Sequence, residues 1–387
     1  MTTVASIVKA RAASRAQAEN QEVNARTRIF LKAVVGILLV IGLGATISAS
    51  SVVAASEGRN FAHYGARQMV FALVGVVVMA VAARVDYSWY RRLAGPILAV
   101  SLAGLVATLA VGVVRGGARR WIDLGFLEFQ PSEVAKFGVV VALAAVFARK
   151  EASGLIHQPG HFVVPVVAIL GPVALLVMAQ PDLGTTLVIA TGALGVVIAS
   201  RARPSHVLGL LTLGAILAAL ASVVAGYRID RVRAWLDPAA DASGISYHLN
   251  QSLAALGSGG ALGVGIGESR FRWSYLPNAH TDFIFSIIGE ELGLAGTMFV
   301  VGLFAAFTVL GIVVARRAPD RFGALLAAGI TSWLSLQAFV NIGGVTGLLP
   351  ITGMTLPFVS YGGSSLLVVM GATGILLNIA GRGAPNS

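Results

Sequence analysis

The segment YLPNAHTDFIFSIIGEELG, residues 275–293, sets one carboxylate, Asp282, between a proline-bearing loop and a long apolar run. Glu290 and Glu291 follow two turns later. Acids beside a membrane-type apolar run cost free energy unless they are used or partnered. On a helix of about 100° per residue, Ser286 lies about 40° from Asp282, Glu290 about 80°, and Glu291 on the opposite face. About 12 Å of axial rise separates Asp282 from Glu290, too far for a shared proton. Asp282 therefore reads as a lone general base or metal ligand, not as half of a dyad. Its structural alternative is a helix N-cap or first-turn acid, where an anion suits the helix dipole. Glu290 and Glu291 read as polar contacts between helices.

Other groups could serve the same chemistry. In QPSEVAK, Glu133 and Lys136 form an i,i+3 pair able to share a helix face. The pair is either a structural ion pair at a helix start, with Pro131 in the first turn, or a cavity-lining pair. Arg119, Arg120 and Trp121 suit the membrane interface, and Arg228, Arg231 and Arg233 with Trp235 suit an interfacial helix. Asp182 in QPDLGTT is placed to cap the next helix. The stretch GLLPITGMTLPFVSYGGSS offers Ser360, Tyr361 and Ser364 as cavity wall. GSGGALGVGIGESR lacks the strand that a dinucleotide loop needs, which leaves a phosphate nest or a plain connector. His280 has no second histidine at ligand spacing, so a zinc site is not expected and loop orientation is its default role.

These residues need elements to hold them. The chain of 387 residues is 56% hydrophobic and 12% charged, with a mean hydropathy of +0.83. Soluble domains carry about 25% charged residues, so an all-α polytopic membrane protein is expected. Ten segments are apolar and long enough to be spans: 31–54, 68–83, 93–114, 137–148, 162–179, 185–200, 206–226, 283–315, 323–343 and 364–380. The fourth crosses only if QPSEVAK belongs to it, and the eighth is too long for one crossing. The absence of cysteine excludes disulfides and thiolate-bound metal.

Residues 1–28 are expected to form a disordered cytoplasmic tail, 29–381 the membrane domain, and 382–387 a second cytoplasmic tail. With both termini inside, most basic residues, among them Arg26, Arg28, Lys32, Arg84, Arg149, Arg316 and Arg317, lie on the cytoplasmic side, as the positive-inside rule requires. The external loops are then 115–136, the large 227–283 between spans seven and eight, and 344–363. The first two collect most of the external cations. A net charge of +11 sorted in this way points to an anionic lipid ligand, not to nucleic acid.

The ordered set GARRWIDLG…QPSEVAK, QPDLGTT, YHLNQSLAALGSGG, YLPNAHTDFIFSIIGEELG and GLLPITGMTLPFVSYGGSS resembles the SEDS (shape, elongation, division, sporulation) family of cell-wall polymerases, over nearly all of 30–380. GVGIGESRFRWSYLPNAHTDF is more similar to the cell-division FtsW branch than to the elongation RodA branch. The resemblance implies a peptidoglycan glycosyltransferase that polymerises lipid II outside the cytoplasmic membrane, at the division septum. It places the family's essential aspartate on Asp282 and favours the cavity-lining reading of Glu133 and Lys136. Asn278 stands where family members usually carry Glu. The reaction needs a base for a sugar 4-hydroxyl and positive charge for a departing undecaprenyl pyrophosphate, supplied by arginines, a lysine, or a divalent cation, Mg²⁺ or Mn²⁺. Implied partners are a class B penicillin-binding protein transpeptidase and other division-complex membrane proteins. Rival readings are a lipid II flippase or transporter, and a non-catalytic division scaffold.

Overall fold

The structure is a computed structural model that describes residues 2–56, 58–60, 62–115, 117–125, 127–224, 233–237, 245–273, 276 and 279–382. It is a helical bundle. In chain order the helices are α1 (Thr2–Ser56), α2 (His63–Arg84), α3 (Ser88–Arg92), α4 (Ala94–Val111), α5 (Pro131–Ala152), α6 (Pro159–Ala179), α7 (Leu183–Ala199), α8 (Pro204–Val224), a short α9 (233–236), α10 (Ile245–Ser258), α11 (Ile284–Arg316), α12 (Arg321–Val345) and α13 (Gly363–Arg382). Each of the ten expected spans overlaps a helix. Eight are long and apolar enough to cross a membrane, while α7 and the Pro204–Ile216 part of α8 are shorter apolar stretches. The fourth span does take in QPSEVAK, because α5 starts at Pro131, whose missing N–H costs nothing in the first turn.

Burial sorts the spans into an inner and an outer set. The apolar windows of α5 and α13 are 78% buried and that of α12 is 61% buried, against 22% for α2 and α4. Polar pins close the bundle at the end opposite Asp282. Arg321 donates to both carboxylate oxygens of Glu151 and to Ala199 O, joining α5, α7 and α12. Asp320 caps α12 by accepting from Gly323 N at 2.7 Å.

Three features go beyond the expected spans. Residues 1–28 were expected to be disordered, but α1 begins at Thr2. Their alanines, with glutamine, glutamate and arginine, are strong helix formers, so the first span's helix extends backward. The fold is the expected all-α bundle, with one small sheet at the start of the 115–136 loop. Strands β1 (Val113–Arg115), β2 (Ala118–Asp123) and β3 (Glu128–Phe129) form a small antiparallel sheet in that order. Finally, α11 is not one straight rod, in keeping with a span too long for one crossing. Gly293 adopts φ 67°, ψ −164° and divides it into two pieces.

The glycine-rich stretch after α10 fits this break. Val264 N and Gly265 N donate to the carbonyls of Glu290 and Glu291, and Leu294 N and Ala295 N donate to Gly260 O and Ala261 O. The four backbone groups freed by the break are thus satisfied, as apolar surroundings demand. The approach is close. A Cβ on Gly263 would stand 2.0 Å from Glu291 O, and one on Gly293 would stand 2.4 Å from Gly263 N. The stretch is a packing piece, and the Val264 and Gly265 amides that a phosphate nest would need are spent on α11.

Candidate active site

Asp282 is half-buried in the turn immediately before α11. The N-cap position belongs to Phe283, which makes no side-chain cap, so Asp282 does not serve as the N-cap of α11. Three successive carbonyls of its loop are held from other elements. Tyr361 N donates to His280 O at 3.0 Å, Ser360 Oγ to Thr281 O at 2.6 Å, and Asn341 Nδ2 to Asp282 O at 2.9 Å. Ser360 Oγ also accepts from Leu356 N, and Asn341 Nδ2 also donates to Met354 O, so both side chains bridge the Asp282 loop to residues 354–356. A backbone fixed at three consecutive residues is a rigid mount for a carboxylate.

Aromatic packing secures the same turn. The rings of Tyr64, His280 and Tyr361 meet pairwise with centroids 5.5–5.6 Å apart. Burial pushes the Tyr361 phenol up from its ordinary value, so it stays protonated near neutrality. Gln68 on α2 spans the next turn, donating to Ser360 O and accepting from Gly362 N. The His280 ring is thus packed within the turn that carries Asp282.

Glu133 and Lys136 form a pair at 2.7 Å with both side chains almost wholly buried. Lys136 Nζ also donates to Gln337 Oε1 at 3.2 Å and lies 5.5 Å from the centroid of the Trp333 ring. Gln337 Oε1 accepts from Trp333 Nε1, and its Nε2 donates to Thr355 O. Trp333, Gln337 and Asn341 are spaced at i, i+4 and i+8 on α12, so one helical stripe links the buried pair to the Asp282 loop. Arg120 reaches the same region by another route. It donates to the carbonyls of Gln180 and Pro181 and lies 3.6 Å from Asp182 Oδ2. Asp182 caps α7 as expected, accepting from Thr185 N. A Cβ on the next glycine, Gly184, would meet Thr352 O at 2.9 Å, so this turn abuts the loop facing Asp282.

Other expected residues lie further out. Arg119 is exposed and reaches Leu109 O at 3.4 Å. Arg233 is exposed on α9, where Trp235 donates to Gly347 O. Ser364 is buried in the first turn of α13. Arg231 lies outside the described residues, as do Arg228, Pro277 and Asn278. Glu290 accepts from Ser269 Oγ and from the backbone N–H groups of Arg270 and Phe271, while Glu291 accepts from Ser48 Oγ on α1. Glu291 is thus a contact between helices, whereas Glu290 holds a loop.

A narrow cleft beside Asp282 is lined by Phe283, Asn341, Gly344, Val345, Ile351, Thr352, Gly353 and Met354. Sequence reasoning missed Asn341. The available signal was an amide in an apolar span, one turn from Gln337, which is costly unless it has partners. Among the described residues no group of three His, Asp or Glu side chains could hold a metal ion. One carboxylate does fit a divalent cation carried mainly by substrate oxygens.

Residues 28–383 match the family model described as a cell cycle protein of the FtsW, RodA and SpoVE group. The chain belongs to the FtsW/RodA/SpoVE family, the SEDS proteins. It is 39% identical to stage V sporulation protein E of Bacillus subtilis over 89% of this chain and 94% of that one. It is 40% identical to the probable peptidoglycan glycosyltransferase FtsW of Geobacter sulfurreducens over 90% and 94% of the two chains. Among solved structures, a chain from a peptidoglycan synthase complex that coordinates polymerization and crosslinking superposes with a TM-score of 0.75 at 28% identity, covering 90% of this chain and 96% of that one. The rod shape determining protein RodA of Thermus thermophilus gives 0.66 at 26% identity, covering 90% and 95%. SEDS membership and the helical bundle make this a multi-pass membrane protein.

Proposed function

We propose that this chain is a peptidoglycan glycosyltransferase that polymerises lipid II at the extracytoplasmic mouth beside Asp282, during septal wall synthesis. The observation that carries the reading is the mount of Asp282: one carboxylate at a cleft, with three backbone carbonyls of its turn fixed by three other groups. Asp282 takes the proton of a sugar 4-hydroxyl as that oxygen attacks the anomeric carbon of a second lipid-linked sugar. The bond from that carbon to the pyrophosphate breaks, the electron pair leaves with the polyprenyl pyrophosphate, and the α-linked donor becomes a β-linked product. A direct inversion of this kind uses one base, which fits a site with a single carboxylate. A divalent cation, Mg²⁺ or Mn²⁺, supplies charge neutralisation for the pyrophosphate when bound, with Asp282 the residue placed to ligate it.

The exposed Arg119 and Arg233 and the half-buried Arg120 are proposed to draw in the anionic lipid, Arg120 while also supporting the 180–182 turn. A class B penicillin-binding protein transpeptidase is the proposed partner. Purified chain with that partner and lipid II in vesicles distinguishes the readings. Glycan strands support the polymerase, translocation without strands a flippase, and neither a scaffold.

A further inference from the structure

One polar atom at the cleft is unsatisfied. Asn341 is 4% exposed, and its Nδ2 donates to both Asp282 O and Met354 O. Two donations to carbonyls fix which end of the amide is nitrogen, so Oδ1 is the acceptor left over. Oδ1 is buried without a hydrogen-bond partner. Among the residues lining the cleft only Asp282, Asn341 and Thr352 carry polar side chains. The free space is about 10 Å³, close to the room one water or hydroxyl needs. The unpaired acceptor belongs to a residue that lines this space, and a buried acceptor calls for an O–H or N–H donor. Asp282, half-exposed at the rim, and Asn341, deeper, can therefore address two neighbouring groups of one ligand.

We propose that Asn341 is a second substrate-contacting residue, whose Oδ1 accepts a hydrogen bond from the 3-hydroxyl of the acceptor sugar while Asp282 takes the proton of the adjacent 4-hydroxyl. The inference rests on the glycosyltransferase reading and adds to it a residue and a recognised group. Asn341 holds the Asp282 loop through its nitrogen and the substrate through its oxygen. A site built to pair a substrate hydroxyl rejects the analogue that lacks it, because the buried acceptor is then left unpaired.

The test uses the full chain with its transpeptidase partner, lipid II, and a lipid II analogue lacking the 3-hydroxyl on its terminal sugar. For wild type, kcat/KM is expected to favour lipid II over the analogue by about tenfold or more. In Asn341→Leu the preference is expected to fall below about twofold, because both substrates lose the loop anchor but only lipid II also loses a hydroxyl contact. Asn341→Ser, smaller and still polar, is expected to behave likewise and serves where the leucine variant does not insert. A wild-type preference retained in either folded variant, with both substrates slowed equally, overturns the proposal and leaves Asn341 purely structural. A wild type that does not discriminate overturns it as well. A wild type that makes no glycan from lipid II fails the functional reading itself, and the proposal falls with it.

Discussion

Lys136 and Asn341 show how differently single residues speak through sequence. The i,i+3 spacing of Glu133 and Lys136 was enough to pair them, but not to say that the pair is buried and braced by Gln337. That placement predicts an asymmetric cost. Lys136→Met leaves Glu133 buried without its cation and should destabilise the protein by about 3–5 kcal/mol, whereas Glu133→Gln with Lys136→Met should recover most of that loss. Thermal unfolding of the two variants in detergent measures it, and equal losses would contradict the assignment. Asp282 could be singled out because a lone acid beside an apolar span stands out chemically, while the choice between base and helix cap came from the family resemblance. Asn341 could not be singled out, because its importance lies in contacts to Asp282 and Met354, which are 59 and 13 residues away.

The elements follow the same division between local and distant causes. Ten apolar helices could be located, eight of them long enough to cross a membrane, because an apolar run of about 20 residues is a local property of sequence. The break at Gly293 could not, since glycine inside a helix does not announce a positive φ. The excess length of the eighth span did signal that its first turns do something else. They carry Glu290 against residues 269–271 and Glu291 against Ser48 of α1. The three strands of 113–129 are short and owe their pairing to one another, so hydropathy did not reveal them. Gly293→Ala should cost at least about 2 kcal/mol, because its conformation is one that only glycine adopts readily. Gly263→Ala should be similarly harmful, with a backbone oxygen 2.0 Å from the added carbon. Gly302→Ala, with nothing within 4 Å, is the neutral control. Melting temperatures of the three variants decide the point, and a Gly293→Ala as stable as Gly302→Ala would remove the break from the account.

At the scale of the whole molecule, the distribution of Lys and Arg predicts which face of the bundle is cytoplasmic. The chain has no cysteine, so single introduced cysteines report sidedness cleanly. Ile266→Cys, 77% exposed, should react with a membrane-impermeant maleimide on intact spheroplasts, and Arg317→Cys only after permeabilisation. The reverse pattern would turn the protein over. Removal of divalent cations with excess chelator should stop polymerisation, and added Mg²⁺ or Mn²⁺ should restore it; full activity in chelator would exclude a cation from the reaction. The central claim is that one carboxylate, mounted on three anchored carbonyls, is the base for glycan synthesis. Asp282→Asn keeps the side chain's shape and removes its charge, so the variant should insert, melt as wild type does and bind its transpeptidase partner. The deciding measurement is its rate of glycan formation from lipid II with that partner present. The account predicts a fall of at least about 10²–10⁴-fold, while Glu291→Gln retains more activity. Polymerisation by Asp282→Asn at the wild-type rate would contradict it.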